Sequence, residues 1–585
     1  MTGAVADTPI RHRVTSEVPA PAMDLFGWLF VASAVALLAR VLMVPSAIMM
    51  NDEYYYAKTT YLWFIDQAGS RHITSLPTRG EAEFPNALFF ALYRISYFFG
   101  QNFYVGAKLL NVVLGTLMAL TVRVVARQFV DRRFATGIAI LALWLPSTSY
   151  FTYFVPEPLY ELLVWAGLAF YFVRLSSTPT LAHAVLGGCL GAAFLAKPNA
   201  VALLAAVNVV VVVVGAMHEG GDGMARRIFR HLLALNLAFV AAAYLLNVLA
   251  TGNVVWDHVG KFYKTGLSKL GEIDTQQTFL TTFTKYSAAY ALALGFMLGP
   301  PLTVLLVRAT RAKGTIAETA LLAMSLIGVG VLLLGSAKVA TNWERVYQNH
   351  ADIYSTRYMS VLFPLLLIAF VRFLPSTHEL RARRLAFGIA IAAVTVLLAL
   401  YFRHMPNTFQ MREVMWPREI HRWAYRITIA SSAAVTLYYA MRRRPGPGVY
   451  ATGVSVLSVL AVLTILRRDV QLVRHGEHGR DADLARALTE LVPPAEQDHG
   501  VIVAPSNRGA ALFMFQYPGI DSLIVTANPR SVTPQSVPAS ASWIVFVGEG
   551  DPGFAPSCVR LRSGTFCPLS AAAVQHPSVA APLSR

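Results

Sequence analysis

Apolar residues run through this chain in blocks of roughly twenty, separated by short basic stretches or longer aromatic ones, which is the spacing of helices that cross a bilayer. The blocks fall at 25–48, 105–126, 135–151, 158–174, 181–196, 199–217, 231–250, 285–307, 317–336, 358–375, 385–403, 424–441 and 449–466, and predict about thirteen spans. The stretch between the first two blocks is too long for a connector. It carries Tyr55, Thr59, Leu62 and Trp63, then Leu88, Phe89, Leu92, Ile95 and Phe99, a helical spacing that predicts amphipathic helices lying in the membrane interface. After the last block the pattern changes. A polar helical segment, Asp481 to Leu491, is followed by short β-type runs at 501–503, 523–525 and 543–547, separated by Gly, Pro and Asn. The expected architecture is an α-helical polytopic membrane protein with a small C-terminal α/β domain. Its parts are a cytoplasmic tail over 1–24, a membrane domain over 25–466 with its first outer loop at 49–104, and a soluble domain over 467–585.

Composition agrees with that reading. Of 585 residues 55% are hydrophobic and 14% charged, against about 25% charged in an ordinary soluble chain. The net charge of +17 does not indicate a nucleic-acid partner, because the arginines sit in short clusters between apolar blocks and carry no interleaved aromatic face. They fit the positive-inside rule instead. With the N-terminus inside, the loops holding Arg123, Arg127, Arg132 and Arg133, then Arg226, Arg227 and Arg230, then Arg308, Arg311 and Lys313, then Arg372, Arg381, Arg383 and Arg384, then Arg442, Arg443 and Arg444, all fall on one side. The opposite loops, 49–104, 251–284, 337–357 and 404–423, are rich in Tyr, Trp and His, so the chemistry belongs on the outer face, with the C-terminal domain. The three cysteines exclude a Cys-rich metal module. Cys558 and Cys567 would be able to pair in an oxidising compartment.

Candidate chemistry gathers in those outer loops. Asp52 and Glu53 stand where the first span leaves the bilayer, followed by Tyr54 and Lys58; ionisable groups at a membrane edge are costly unless solvated or paired, and mark a site when they do more than end a helix. Glu157 lies between Pro156 and Pro158 at the start of a span, where the helix dipole favours a carboxylate whether it caps or reacts. Lys197 precedes Pro198 between two spans and reads either as a snorkelling lysine or as a partner for a lipid phosphate. His258 and Lys261 belong to an aromatic and charged rim or to an interfacial belt. Lys338, and Arg357 with Tyr358 at the threshold of the 358–375 block, complete the cations; arginine can bind phosphate oxygens through two parallel hydrogen bonds. No zinc spacing occurs among the histidines.

This ordered set resembles the GT-C superfamily of integral-membrane glycosyltransferases, and within it the protein O-mannosyltransferase and lipid A aminoarabinose transferase type. The likeness rests on Asp52-Glu53 after the first span, the long first outer loop, Pro-Glu157-Pro, Leu195-Ala-Lys197-Pro and Arg357-Tyr358, and covers roughly 25–466. It implies a GT-C fold and transfer of a sugar from a polyprenyl-phosphate-linked donor to a hydroxyl of a cell-envelope glycan, lipid or protein, on the outer face of the cytoplasmic membrane. By resemblance Asp52 takes the place of the catalytic base, with Glu53 beside it, and Glu157 that of the second-loop acid, often Asp in relatives. Arg357, Lys197 and Lys338 would hold the donor phosphate, and Tyr54, Lys58, His258, Lys261 and Tyr358 would form the substrate rim. Asp52, Glu53 and Glu157 could together provide oxygen ligands for an optional divalent cation; no other cofactor is implied. The rival reading is a transporter or flippase of a lipid-linked saccharide, which would place its ionisable groups within spans of two matching halves.

Overall fold

The computed structural model describes residues 25–43, 53–65, 86–145, 151–218, 221–251, 276–311, 314–347, 360–402 and 422–475, and much of the C-terminal region between 484 and 569. It is a helical bundle with a small sheet at its C-terminal end. The helices are α1 (Leu25–Leu42), α2 (Glu53–Ile65), α3 (Ala87–Tyr93), α4 (Phe103–Ala126), α5 (Arg132–Trp144), α6 (Glu157–Arg174), α7 (Pro179–Ala196) and α8 (Ala200–His218). They continue with α9 (Met224–Thr251), α10 (Gln276–Ala309), α11 (Ile316–Tyr347), α12 (Phe363–Phe373), α13 (Arg381–Phe402), α14 (Arg422–Met441) and α15 (Gly448–His475).

Every apolar block overlaps one of these helices. Among the described residues eight helical segments are by themselves long and apolar enough to cross a membrane, in α1, α4, α7, α8, α9, α10, α11 and α13, and the chain is a multi-pass membrane protein. The other blocks correspond to helices that are shorter or more polar: α5 has 13 residues and α12 has 11, and α6 carries Glu157, Glu161 and Arg174. Outward faces of the bundle are apolar, as lipid requires; Leu237 and Leu249 of α9 and Leu397 and Leu400 of α13 are all exposed.

Local sequence accounts for the helix ends. Asp131 caps α5, its Oδ1 accepting from the backbone N–H of Arg133 at 2.9 Å and of Phe134 at 3.1 Å. Thr315 and Glu318 form a reciprocal capping box at the start of α11: the Thr315 N–H donates to Glu318 Oε2 and the Glu318 N–H to Thr315 Oγ1. The span predicted over 285–307 is the second half of a longer helix that breaks its regular geometry at Leu298, just before Pro300 and Pro301. A proline removes one backbone donor and crowds the carbonyl four residues back, so two in succession kink the helix there.

The tightest helix pairing is α7 against α9. A Cβ at Gly187 would stand 2.0 Å from the Leu235 carbonyl oxygen, and one at Gly191 would stand 2.3 Å from that of Phe239. Two small residues four apart thus bring the backbones into contact, which in lipid replaces the missing hydrophobic drive. Asn208 and Asn236 clamp α8 to α9 through reciprocal carboxamide hydrogen bonds of 2.7 and 3.3 Å.

In the C-terminal region β1 (Gly500–Ala504), β2 (Ser522–Val525), β3 (Trp543–Val547), β4 (Val559–Leu561) and β5 (Gly564–Pro568) form one sheet in the order β2-β1-β3-β5-β4. The first three, foreseen as β-type runs, pair in parallel. The last two form an antiparallel edge that the sequence pattern did not indicate. Cys558 and Cys567 are joined as a disulfide across that edge. Leu484, Leu488, Trp543 and Phe566 fill one face of the sheet.

Candidate active site

The start of α6 and the end of α7 meet at one end of the bundle, and there the Lys197 ammonium lies 2.5 Å from Glu157 Oε1. Both groups are enclosed, Glu157 at 4% exposure and Lys197 at 7%. Sequence position explains the geometry. Pro158 at the second position of α6 fixes the helix start on Glu157, and Pro198 stops α7, leaving Lys197 in extended geometry with its side chain free to turn inward. Burying two charges is costly unless they pair, so each depends on the other.

Three loops are fastened around this pair. Glu53, at the first turn of α2 and 1% exposed, accepts through Oε1 from the Phe154 backbone N–H, three residues before Glu157. Asn86, immediately before α3, donates from Nδ2 to the Ala196 carbonyl at 2.7 Å, next to Lys197. Asn111 of α4 donates from Nδ2 to the carbonyls of Phe151 at 3.1 Å and Tyr153 at 2.8 Å, while its Oδ1 accepts from the Tyr93 hydroxyl. One turn along α4, Gly115 leaves room for the Phe151 ring. The Tyr97 hydroxyl donates to the Ala57 carbonyl at 2.6 Å and holds α2 against the segment after α3.

An aromatic floor lies beneath these contacts. Phe89 packs on Tyr93 with ring centres 4.2 Å apart, and Phe154 meets Phe89, Tyr93 and Phe103 edge-on at 5.6 to 5.9 Å. Burial and the nearby Glu157 charge push the Tyr93 hydroxyl well above its ordinary titration range, so it stays a neutral donor. Burial does the same for Tyr97.

Of the residues expected from sequence, Glu53, Glu157 and Lys197 come together at this end of the bundle. The resemblance made Glu157 the second-loop acid and gave Lys197 to the donor phosphate; the structure makes them one ion pair. Lys338 is exposed on α11, and no described contact joins it to that pair. Tyr54 and Lys58 stand on α2, but their side chains lie outside the described residues, as do Asp52, His258, Lys261, Arg357 and Tyr358 altogether. The short helical turn Ser360–Leu362 is anchored: Trp165 Nε1 of α6 donates to the Val361 carbonyl at 3.0 Å. Helices were foreseen over the first outer loop as interfacial. They are present as α2 and α3; among the described residues Tyr56, Thr59, Trp63, Phe89 and Tyr93 are buried against the bundle, and Ile95, Phe98 and Phe99 beyond α3 are exposed as an apolar rim.

Four residues at this site escaped the sequence reading. Glu161, one turn after Glu157 and buried on the same helix, was signalled by the spacing of four. Asn86, Tyr93 and Asn111 are neutral, and the only hint was an Asn inside the apolar block 105–126, where a polar group must find a partner. No cluster of three His, Cys, Asp or Glu suited to a metal occurs among the described residues. Of the oxygens that could face a cation, Glu53 Oε1 is taken by a backbone donor and Glu157 Oε1 by Lys197, which already supplies positive charge there.

No family model matches the chain, and no curated protein matches it in sequence. Its fold is nevertheless shared with solved structures. The chain aligns with ArnT from Cupriavidus metallidurans bound to undecaprenyl phosphate at a TM-score of 0.53 and 16% identity, covering 94% of this chain and 100% of that one. It aligns with the same protein in the apo state at 0.51 and 16%, covering 94% and 99%. The Archaeoglobus fulgidus oligosaccharyltransferase in its apo form is a looser match, at 0.45 and 12%, covering 89% and 69%. The chain therefore has the fold of the GT-C membrane glycosyltransferases, the class its motifs resemble.

Proposed function

We propose that this protein is a membrane glycosyltransferase that moves a sugar from a polyprenyl-phosphate-linked donor to an acceptor hydroxyl of a cell-envelope glycan, lipid or protein. It would act on the outer face of the cytoplasmic membrane, opposite the arginine-rich loops. The observation that carries the reading is the buried Lys197–Glu157 pair, braced by the first two loops, within the GT-C fold. That a protein of this fold binds undecaprenyl phosphate supports the class of donor.

The acceptor oxygen forms a new bond to the anomeric carbon from the face opposite the phosphate, and its proton passes to the Asp52 carboxylate. The anomeric carbon–oxygen bond to phosphate breaks, and the electron pair leaves with the polyprenyl phosphate. A phosphate is already a good leaving group, so what remains to be supplied is a base and positive charge near the departing oxygens. Lys197 provides that charge, with Arg357 and Lys338 as further cations. Glu157 holds Lys197 in place until the donor phosphate competes for it. Glu53 acts through the backbone of Phe154, fixing the loop that carries Glu157. Tyr54, Lys58, His258, Lys261 and Tyr358 line the way in. If a divalent cation binds, Asp52, Glu53 and Glu157 are the residues that would hold it, adding charge at the same phosphate.

The test is transfer of labelled sugar from a panel of polyprenyl-phosphate donors to an envelope extract, by purified wild type, Asp52→Asn and Lys197→Gln at matched folding. Wild type should transfer, and Asp52→Asn should lose about 100- to 10,000-fold in rate, the usual contribution of a general base. Equal transfer by wild type and Asp52→Asn would remove Asp52 from the mechanism. Movement of donor across vesicles without transfer would replace the enzyme by a transporter.

A further inference from the structure

The end of the bundle opposite Glu157 has a built arrangement of its own. There the end of α10, the segment leading into α13 and the end of α14 converge. Across 308–318, 372–384 and 441–444 the described residues include nine arginines and only two carboxylates, Glu318 and Glu379. Those two carboxylates pair with Arg372 and Arg311. Arg381, Arg383 and Arg384 are instead fixed on backbone and hydroxyl oxygens. Arg384, fully buried, donates through Nη2 to the carbonyls of Arg442 and Arg443 at the end of α14. Arg381 Nε donates to the Met441 carbonyl at 3.1 Å, and Arg383 Nη1 to Thr310 Oγ1 at 2.8 Å.

Capping a helix C-terminus with a cation is favourable, yet it satisfies hydrogen bonds without cancelling a whole charge. Arg384 Nη1 and His378 Nε2 are enclosed with no partner. Positive-inside topology asks only for cations in a loop; it does not ask that several be held on helix ends around one buried guanidinium. Arg381, Arg443 and Arg444 are exposed above Arg384. Below them the outward side of α13 is apolar, Ile389, Val394 and Leu397 being 50%, 52% and 64% exposed. Ile389 to Leu397 spans about 12 Å of helix, comparable to the hydrocarbon depth of one leaflet, about 15 Å.

We propose that this α10–α13–α14 corner is a binding site for an anionic phospholipid of the leaflet it faces. Arg381, Arg443 and Arg444 grip the headgroup phosphate, Arg384 supplies fixed charge beneath it, and the acyl chains lie along Ile389 and Leu397. Charge complementarity selects the occupant: a net positive corner at the interface, continuous with an apolar lipid-facing stripe, fits an anionic lipid and not a free anion. Arginine forks suit phosphate oxygens through paired hydrogen bonds.

The full-length protein, stripped of lipid in detergent, is placed in phosphatidylcholine vesicles with and without phosphatidylglycerol, and its thermal midpoint is read alongside lipid retention by native mass spectrometry. The site predicts a midpoint raised by several degrees with phosphatidylglycerol, and retention of bound anionic lipid. Arg381→Gln/Arg443→Gln/Arg444→Gln should lose the rise and retain lipid about tenfold less well. Arg133→Gln/Arg226→Gln/Arg230→Gln, which removes the same charge elsewhere at this end, should keep both. Equal losses in the two triple variants would reduce the effect to bulk attraction and overturn the site, as would a wild type indifferent to phosphatidylglycerol. An equal rise with soluble glycerol phosphate would replace the lipid by a free anion. The altered residues are exposed, and Arg444→Gln alone, read for retention, serves if the triple variant is unstable.

Discussion

Glu157 and Lys197 are each more than nine-tenths enclosed, so deleting one charge takes a buried partner from the other. Breaking a buried pair from one side typically costs about 3–5 kcal/mol, whereas replacing both members can cost far less. Glu157→Gln and Lys197→Met should therefore each lower stability by roughly that amount, and the double variant by clearly less than their sum. Unfolding midpoints in detergent over the full cycle measure this, and strict additivity would mean that the pair does not couple. Tyr93 and Tyr97 give a second handle. Burial holds their titration in the folded state well above the ordinary range of a tyrosine hydroxyl, so the stability they contribute is complete below about pH 10 and is lost as pH rises toward their folded values. Each tyrosine therefore withdraws stability as pH rises above the ordinary titration range of a tyrosine hydroxyl. Replacing Tyr97 by Phe should flatten the alkaline end of the stability curve, and an unchanged slope there would sink the assignment. What the sequence announced at this scale was charge: Glu157 and Lys197 stood out because ionisable residues are rare near apolar blocks. Their pairing was not legible, since 40 residues separate them and only tertiary packing brings the two helix ends together. Asn86 and Asn111 were overlooked because neutral amides act through backbone carbonyls, whose positions no residue pattern records.

At the scale of elements the hydrophobic blocks were informative because lipid leaves the backbone few choices; a run of apolar residues in a bilayer must be helical to satisfy its own hydrogen bonds. Ends were less legible. The first block reaches residue 48, yet α1 stops at Leu42, and the block at 135–151 yields an α5 ending at Trp144. Apolar residues continue past the helix in both cases, so hydropathy does not see the turn. The two loop helices were legible as helices, but which aromatic residues pack inward was not, because aromatics at helical spacing serve equally to face lipid or to pack against the bundle. The α7–α9 contact carries a prediction of its own. A side chain at Gly191 must displace the Phe239 main chain, and Lys197 lies six residues further along α7, so separating the helices moves the ammonium away from Glu157. Gly191→Leu should lower thermal stability by more than about 3 kcal/mol, the scale of overpacking without relief, and reduce sugar transfer in proportion. Gly188→Leu is the control: a Cβ there finds only the Ala242 side chain, at 3.9 Å. Comparable damage from both substitutions would dissociate the close approach from the function.

The whole molecule sorts its chemistry to two ends. Contacts trace one end through His218 and Thr319, 2.7 Å apart, through Arg372 and Glu318, and through Arg383 and Thr310; each residue sits at the helix end remote from the Glu157–Lys197 pair. Gathered at one end, these basic termini are what the positive-inside rule uses to orient a chain, and the outer-face proposal rests on that rule. The polarity is testable without any assay of transfer. Single cysteines at Arg443 and Phe98, both exposed and at opposite ends, should react with a membrane-impermeant maleimide from opposite sides: Arg443→Cys only in inverted vesicles, Phe98→Cys only in intact cells. The background favours the experiment, since Cys189 is partly buried on α7 and Cys558 is bonded to Cys567. Labelling of both positions from the same side would place the arginine-rich corner and the Glu157 site in one compartment, and would withdraw both the outer-face transfer reaction and the inner-leaflet lipid site.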